Sequence, residues 1–264
     1  MNKFLLPISI AALKNGKHVL CEKPLGRNSM ESKKILKAAI QNKVILKTGL
    51  NHRYYPAVVE AKKLLDQRKI GKLCFLRCRY GHGGRPAYEK EWRSRRELSG
   101  GGELLDQGVH VVDLFRFFAG EFHEAFGYTP QYFWKSDVED NAFALFKKKD
   151  GVIASLHVSW MEWKNLFSFE IFGTEGYLII EGLGGSYGKQ TLKIGRRNKK
   201  GGIPREIIKS FSNSDDSIKE EWRELILAIE KGKKPTGDGW DGYQANRMID
   251  SVYRSAKEGR ILKL

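Results

Sequence analysis

The spacing of apolar residues changes character about a quarter of the way along the chain. Residues 7–15 carry apolar side chains in a short helical run, with Pro7 suited to a first turn and Gly16 to a stop. His18 to Cys21 is a brief apolar run, as a buried strand shows. Asn28, with Glu31 three residues on, has capping-box spacing and predicts a second helix, Asn28 to Gln41. Val44 to Thr48 reads as a second strand and Pro56 to Gln67 as a third helix. Strands alternating with helices predict a parallel sheet.

From Leu73 the period shifts to two. Cys74, Leu76, Cys78 and Tyr80 fall on one face of a strand, and Arg77 and Arg79 on the other. A glycine-rich loop leads to a helix over Glu103 to Phe118 whose inward residues are Leu105, Val109, Val112 and Phe115. Lys148-Lys149-Asp150-Gly151 and Gly173-Thr174-Glu175-Gly176 each join two apolar strands as hairpins. Leu192 to Ile194 and Arg205 to Ile208 form a third pair. Ser217 with Glu220 opens another helix, with Ile218, Trp222, Leu225, Ile226 and Ile229 on one face. A last helix, Asp241 to Lys257, turns Ala245, Met248, Ile249 and Val252 inward. The fold class is therefore α/β plus α+β: the remnant of a Rossmann-like parallel sheet in 1–70, then an α/β domain with a large, mostly antiparallel sheet in 71–264. The last helix is free to pack back on the first domain.

Composition narrows the function. With 264 residues, 41% of them hydrophobic and 30% charged, the chain is long enough for a sizeable core and too apolar for disorder. No apolar run approaches the roughly 20 residues of a membrane span. The apolar stretch after Lys3 mimics a secretion signal, but it leads straight into a strand with no small-x-small cleavage site. Three cysteines make no disulfide framework and no C-x-x-C pair, which predicts reduced thiols and a cytoplasmic location. The net charge of +16 invites a nucleic-acid reading. Its basic runs are short and flank turn signals, so solvated hairpin tips explain them, with a general pull on anionic ligands left over.

Three places carry candidate chemistry. Glu22-Lys23-Pro24 directly follows the first strand, where ligands bind in open α/β sheets, and the lysine charge there favours a developing alkoxide. A solvated lysine is the alternative. Asp106 and His110 are four apart on the predicted helix, with Asp113 three further on, a base and its orienting carboxylate or else a structural pair. Asn51-His52-Arg53 ends the second strand beside the first site, or is a plain loop. The dispersed histidines match no zinc spacing, so no metal is expected. Gly237-x-Gly239-x-x-Gly242 has the dinucleotide spacing but no strand before it, and reads as a coincidence.

Together these motifs resemble the Gfo/Idh/MocA family of nicotinamide-dependent oxidoreductases. The match runs through Gly16–Pro24 (GKHVLCEKP), Thr48–Arg53, Trp92-Arg93, the three glycines at 100–102 with the D-x-x-x-H-x-x-D frame, Val138–Asn141 and Gly173–Gly176. The resemblance implies Lys23, Asp106 and His110 as a catalytic triad, with His110 taking the hydroxyl proton, Lys23 steadying the oxygen and Asp106 orienting both. It places Glu22, Lys23, Asn51 and His52 along the nicotinamide of NAD or NADP. It implies a sugar or cyclitol substrate and a homo-oligomer through the outer face of the antiparallel sheet, with no nucleic-acid or membrane partner.

The family begins with a strand, a glycine fingerprint and a helix, whereas this sequence starts at the helix before the E-K-P strand. About 80–100 residues, four strand-helix units, are expected upstream. The chain alone is then a truncated dehydrogenase of doubtful activity, lacking the phosphate-binding loop, binding NAD(H) weakly and associating through an exposed strand edge. A non-catalytic remnant or binding subunit is the other reading, and a basic nucleic-acid module a distant one.

Overall fold

The computed structural model describes residues 1–212 and 215–264. Helix α1 (Leu5–Lys14), strand β1 (Val19–Cys21), helix α2 (Ser29–Gln41), strand β2 (Leu46–Thr48) and helix α3 (Pro56–Asp66) follow in order. β1 and β2 pair in parallel, Val19 opposite Leu46 and Cys21 opposite Thr48. α2 begins where Asn28 Oδ1 accepts from the Glu31 amide at 3.0 Å, the first half of the expected capping box. Ile35, Ala38 and Ala39 of α2 pack with Leu13 of α1 and with Cys21 and Leu46 into a small core over this sheet.

β3 (Leu73–Gly81) starts the second part. Helices α4 (Arg96–Ser99), α5 (Glu103–Asp106) and α6 (Gly108–Ala119) come next, followed by β4 (Glu124–Tyr128), β5 (Asn141–Lys147), β6 (Ile153–Ser159), β7 (Leu166–Gly173), β8 (Gly176–Glu181), β9 (Thr191–Arg196) and β10 (Arg205–Ser210). Helices α7 (Ser217–Glu230) and α8 (Gly239–Glu258) precede β11 (Leu262–Lys263). Among the described residues nine strands form one sheet in the order β10-β9-β8-β7-β3-β6-β5-β4-β11. Among the described residues β3 runs parallel to β6, and the other neighbours are antiparallel. Inner-face residues such as Leu76, Cys78, Phe146, Leu156, Phe169 and Ile171 are buried against Val109, Val112 and Phe115 of α6 and Met248, Ile249 and Val252 of α8. Each large side chain removed from water contributes roughly 1.5–3 kcal/mol, so this core anchors the helix that carries the site.

Helix α8 serves both sheets. It buries Ala245 and Ile249 in the large core, and it returns to the first part through Asn246 Nδ2 on the Gly26 carbonyl at 2.9 Å and Asp250 Oδ2 on the Ser29 amide at 2.8 Å. The glycines of the coincidental fingerprint explain themselves here. A Cβ on Gly242 would lie 2.3 Å from Thr48 Oγ1, and one on Gly239 would lie 2.5 Å from Leu46 Cδ2. They let α8 touch β2 and hold no phosphate. Asp238 caps the helix by accepting from the Asp241 amide at 3.0 Å, so a carboxylate occupies the position a phosphate would need.

Three local expectations fail for identifiable reasons. Cys74 is exposed, because the register slips between Leu73 and Phe75 where β3 meets β7, and the inward face begins at Leu76. Ser217 is the first helical residue of α7 instead of its cap, and its hydroxyl donates to Asp215 Oδ1 at 2.5 Å. The apolar stripe of α7 turns inward only at Leu225: Ile218, Trp222 and Ile226 are 55%, 51% and 47% exposed, while Ser217, Glu221 and Ala228 are buried beside Leu225. Polar demand sets that rotation. Lys47 is fully buried on β2, and its Nζ needs Glu224 Oε2 at 2.9 Å and Tyr54 Oη at 2.7 Å. The Thr236 carbonyl is a further acceptor, but Glu224 is the carboxylate that balances the buried charge.

Candidate active site

The carboxyl ends of β1 and β2 bring four of the expected residues together. The Gly49 amide donates to the Cys21 carbonyl at 2.7 Å, which closes the two strand ends on each other. Exposed Glu22 lies against this contact, its Oε2 3.3 Å from where a Cβ on Gly49 would sit. Lys23 follows, joined to Pro24 by a cis peptide. Asn51 and His52 form a 3₁₀ turn, with Asn51 Oδ1 3.1 Å from His52 Nδ1 and Asn51 Nδ2 2.9 Å from Ser217 Oγ.

Lys23 and Asp106 meet as a pair from distant parts of the sequence. The ammonium lies 2.8 Å from Asp106 Oδ1 and 2.5 Å from the Asp106 carbonyl, and Arg93 Nε lies 3.2 Å from Oδ2. Burial pushes the Asp106 carboxyl up, but Lys23 and then Arg93 outweigh it and hold it below the ordinary aspartate value. Asp106 is the last residue of α5, and the helix breaks at Gln107 before α6 begins. That break corrects the expectation of one continuous helix over Glu103 to Phe118. It also frees the Asp106 carbonyl to accept from Lys23.

The placement of α5 is itself fixed by the glycine run. A Cβ on Gly102 would lie 1.9 Å from the Glu139 carbonyl, so only glycine lets this turn touch the Val138–Asn141 segment. Glu139 Oε1 then accepts from the Gly102 amide at 3.0 Å, the Leu104 amide at 3.2 Å and the Tyr253 hydroxyl at 2.6 Å. Behind Asp106 the Glu103 side chain is fully buried, and burial, reinforced by Asp106, raises its carboxyl well above the ordinary value.

His110 does not pair with Asp106. Its ring stacks on His52, centroids 3.8 Å apart and planes 19° from parallel, and its Nδ1 is buried without a hydrogen-bond partner. Burial lowers its basicity well below that of an ordinary histidine, with His52 and Lys23 adding to the effect. The expectation that Asp106 is the carboxylate orienting His110 is therefore corrected. The helix break turns that carboxylate toward Lys23. His52 is neutral too, pushed down to about 3 by burial and then by the Lys23 charge, and its Nε2 lies 3.2 Å from Tyr80 Oη. Asp113 belongs to another cluster, where it holds Arg53 at 2.5 and 2.8 Å.

A cavity of about 310 Å³ opens beside Lys23 and Asp106, walled by Tyr80, His82, Arg85, Tyr88, Arg93 and Gln107. Of these the sequence motifs single out Arg93 alone. Tyr80 reads as one more inward strand residue. His82, Arg85 and Tyr88 lie in an aperiodic loop, whose one clue is its place just past the end of a strand. Among the described residues no three metal-capable side chains converge, and no helix is long and apolar enough to cross a membrane.

A small parallel sheet joined to a large mostly antiparallel sheet, with a lysine and an aspartate at the seam, is the architecture of oxidoreductases that combine a Rossmann domain with an α/β domain. Family comparison agrees: residues 58–179 match the GFO/IDH/MocA C-terminal domain, and residues 7–50 match the oxidoreductase family with NAD-binding Rossmann fold. The chain belongs to the Gfo/Idh/MocA family. It is 29% identical to levoglucosan dehydrogenase of Pseudarthrobacter phenanthrenivorans over 66% of this chain and 51% of that protein. It is 32% identical to 1,5-anhydro-D-fructose reductase of Ensifer adhaerens over 65% of this chain and 52% of that one. The chain thus spans about half the length of these curated relatives. Among solved structures, aldose-aldose oxidoreductase from Caulobacter crescentus, complexed with glycerol, superposes with a TM-score of 0.87 at 25% identity, covering 100% of this chain and 77% of that one.

Proposed function

We propose that this chain carries the reacting end of an NAD(P)-dependent dehydrogenase, acting between a hydroxyl and a ketone of a sugar or cyclitol. One observation carries the reading: the Lys23 ammonium, fixed by Asp106, faces a polar cavity at the carboxyl ends of parallel strands. The residues fit a nicotinamide. Glu22, Asn51 and His52 border the strand ends, the two strand ends approach closely at Gly49, and the buried His110 Nδ1 lacks a partner. When bound, the nicotinamide supplies a hydride acceptor. Lys23 donates a hydrogen bond to the substrate oxygen and stabilises negative charge developing there. Neutral His110 takes the hydroxyl proton, and Asp106 keeps Lys23 in place. Residues 1–70 form the cofactor part and 71–264 the substrate part. Three free thiols, Cys74 among them exposed, suit a reducing cytoplasm.

The test supplies NAD⁺ or NADP⁺ in large excess, because the glycine turn that opens α8 is already capped by the Asp238 carboxylate. Over a panel of sugars and cyclitols, reduced nicotinamide should appear with the wild type and fall by about 10²–10³ with Lys23→Met, the scale of losing one charge-stabilising donor. Equal rates for both proteins would overturn the role of Lys23, and no reduction with either cofactor would overturn the function.

The same reading includes self-association through the outer face of the nine-stranded sheet. Phe75, Phe143, Leu145 and Ile153 are exposed there, with Phe75 opposite Ile153 on neighbouring strands. Such a contiguous apolar surface marks an interface. Sedimentation should show an oligomer that Leu145→Glu dissociates, whereas a monomeric wild type would sink the proposal.

A further inference from the structure

The cavity wall is more basic than a neutral sugar requires. Three cations border it, Lys23, Arg85 and Arg93, against one carboxylate of the wall, Asp106. Glu91 stands behind Arg85, accepting from its Nε at 2.6 Å and its Nη2 at 2.8 Å. Even with Glu91 counted the cations are in excess, while the tyrosines and Gln107 already provide neutral hydrogen bonding for hydroxyl groups. Arg93 has the freer terminal nitrogens, since the Arg85 fork is bound by Glu91 at both Nε and Nη2. Its Nε is on Asp106, its guanidinium stacks on Trp92 with 4.6 Å to the ring centroid, and its Nη1 is 3.9 Å from Glu91, too far for a hydrogen bond. A planar fork with terminal N–H groups to spare suits a carboxylate or phosphate.

We infer that the substrate is an anionic sugar whose carboxylate or phosphate is bound by Arg93 and Arg85. Asp106 sets the spacing, because Lys23 holds one of its oxygens and Arg93 the other. The anionic group therefore lies on the Arg93 side of Asp106 and the reacting oxygen on the Lys23 side, so both belong to one small molecule such as a uronic acid or a sugar phosphate. The inference rests on the dehydrogenase reading for the word substrate, but its test does not.

Calorimetry on the purified chain, with and without NAD⁺, measures binding of D-glucuronate, D-glucose 6-phosphate, D-glucose and inorganic phosphate. At least one acidic sugar should bind about tenfold tighter than D-glucose, the scale of a charge-assisted hydrogen bond. Preference for the carboxylate over the phosphate, or the reverse, identifies the source of the charge. Arg85→Gln with Arg93→Gln should remove the preference. Lys199→Gln with Lys200→Gln, far out on the β9–β10 hairpin, should keep it. Equal binding of D-glucose, survival of the preference in the arginine double variant, or no acidic-sugar binding at millimolar concentration would each overturn the inference. So would inorganic phosphate binding as tightly as glucose 6-phosphate, which would indicate an adventitious ion only. Turnover of neutral polyols without anion preference leaves the dehydrogenase reading standing and defeats this one, and anion binding without hydride transfer does the reverse.

Discussion

Replacing His110 by alanine is expected to lower turnover by about 10²–10⁴, the usual scale for loss of a general base. The imidazole lies at the start of α6 beside Lys23, its position fixed by the stack on His52 at 3.8 Å. Burial keeps it neutral, so it arrives at the reaction ready to accept a proton. The sign of its pH dependence follows. A base works in its unprotonated form, and its affinity for a proton lies well below the ordinary value of 6.5. The acid limb of kcat/KM should therefore fall well below pH 6.5, with rates flat through neutrality. A limb centred at 6.5 would mean that the base is an ordinary solvated histidine. Wild-type turnover in His110→Ala would pass the role to His82, the imidazole of the cavity wall. Cofactor affinity should change little, and Lys23→Met combined with His110→Ala should lose far less than the product of the two single effects.

Asp113→Ala should cost about 3–5 kcal/mol of folding stability, the price of leaving a buried charge without its partner. The Arg53 and Asp113 side chains are 6% and 1% exposed and meet through two hydrogen bonds. Asp241 supplies a third contact to Arg53 at 3.0 Å and another to Arg116 at 3.0 Å. Burial alone would lower the proton affinity of Arg53, but Asp113 and then Asp241 raise it, so the guanidinium stays charged. Removing Asp113 leaves that charge against Phe117 with one of its three carboxylate hydrogen bonds. Urea unfolding of the wild type, Asp113→Ala and the double variant Arg53→Met with Asp113→Leu measures the effect. The double variant should be far closer to wild type than the single, because a well-packed apolar pair replaces the ions at little net cost. A loss below about 1 kcal/mol in Asp113→Ala, the level of a surface pair, would show that Arg53 finds another partner.

The elements were legible where periodicity and capping agree. Asn28 with Glu31, Pro56, and the turns Asp150-Gly151 and Gly173–Gly176 each set a boundary by local chemistry, and each boundary falls within about two residues of expectation. The site was legible as a set of residues and not as a set of contacts. Lys23, Asp106, His110, Asn51 and His52 do gather at one seam. The partners of Asp106 and His110 depend on a one-residue break at Gln107, which i, i+4 reasoning cannot register because it presumes an unbroken helix. The outward stripe of α7 escaped for a related reason. A hydrophobic stripe predicts its own burial only when nothing stronger orients the helix, and here the buried Lys47 does. The cavity wall at His82, Arg85 and Tyr88 has no period at all, and only the folded loop brings those residues to Lys23.

Lys23 and Asp106 are 83 residues apart in sequence, and neither lies on an element that contacts the other before the two sheets dock. Closing so long a loop comes late in assembly, because its entropy must be offset by contacts made first. The paired Lys23 ammonium is thus assembled by the same event that completes the tertiary structure. A chain in which the two sheets have not docked lacks the Lys23–Asp106 contact, and its Lys23 is without that carboxylate. The salt bridge is thus a certificate of the native state, whatever chemistry it goes on to serve.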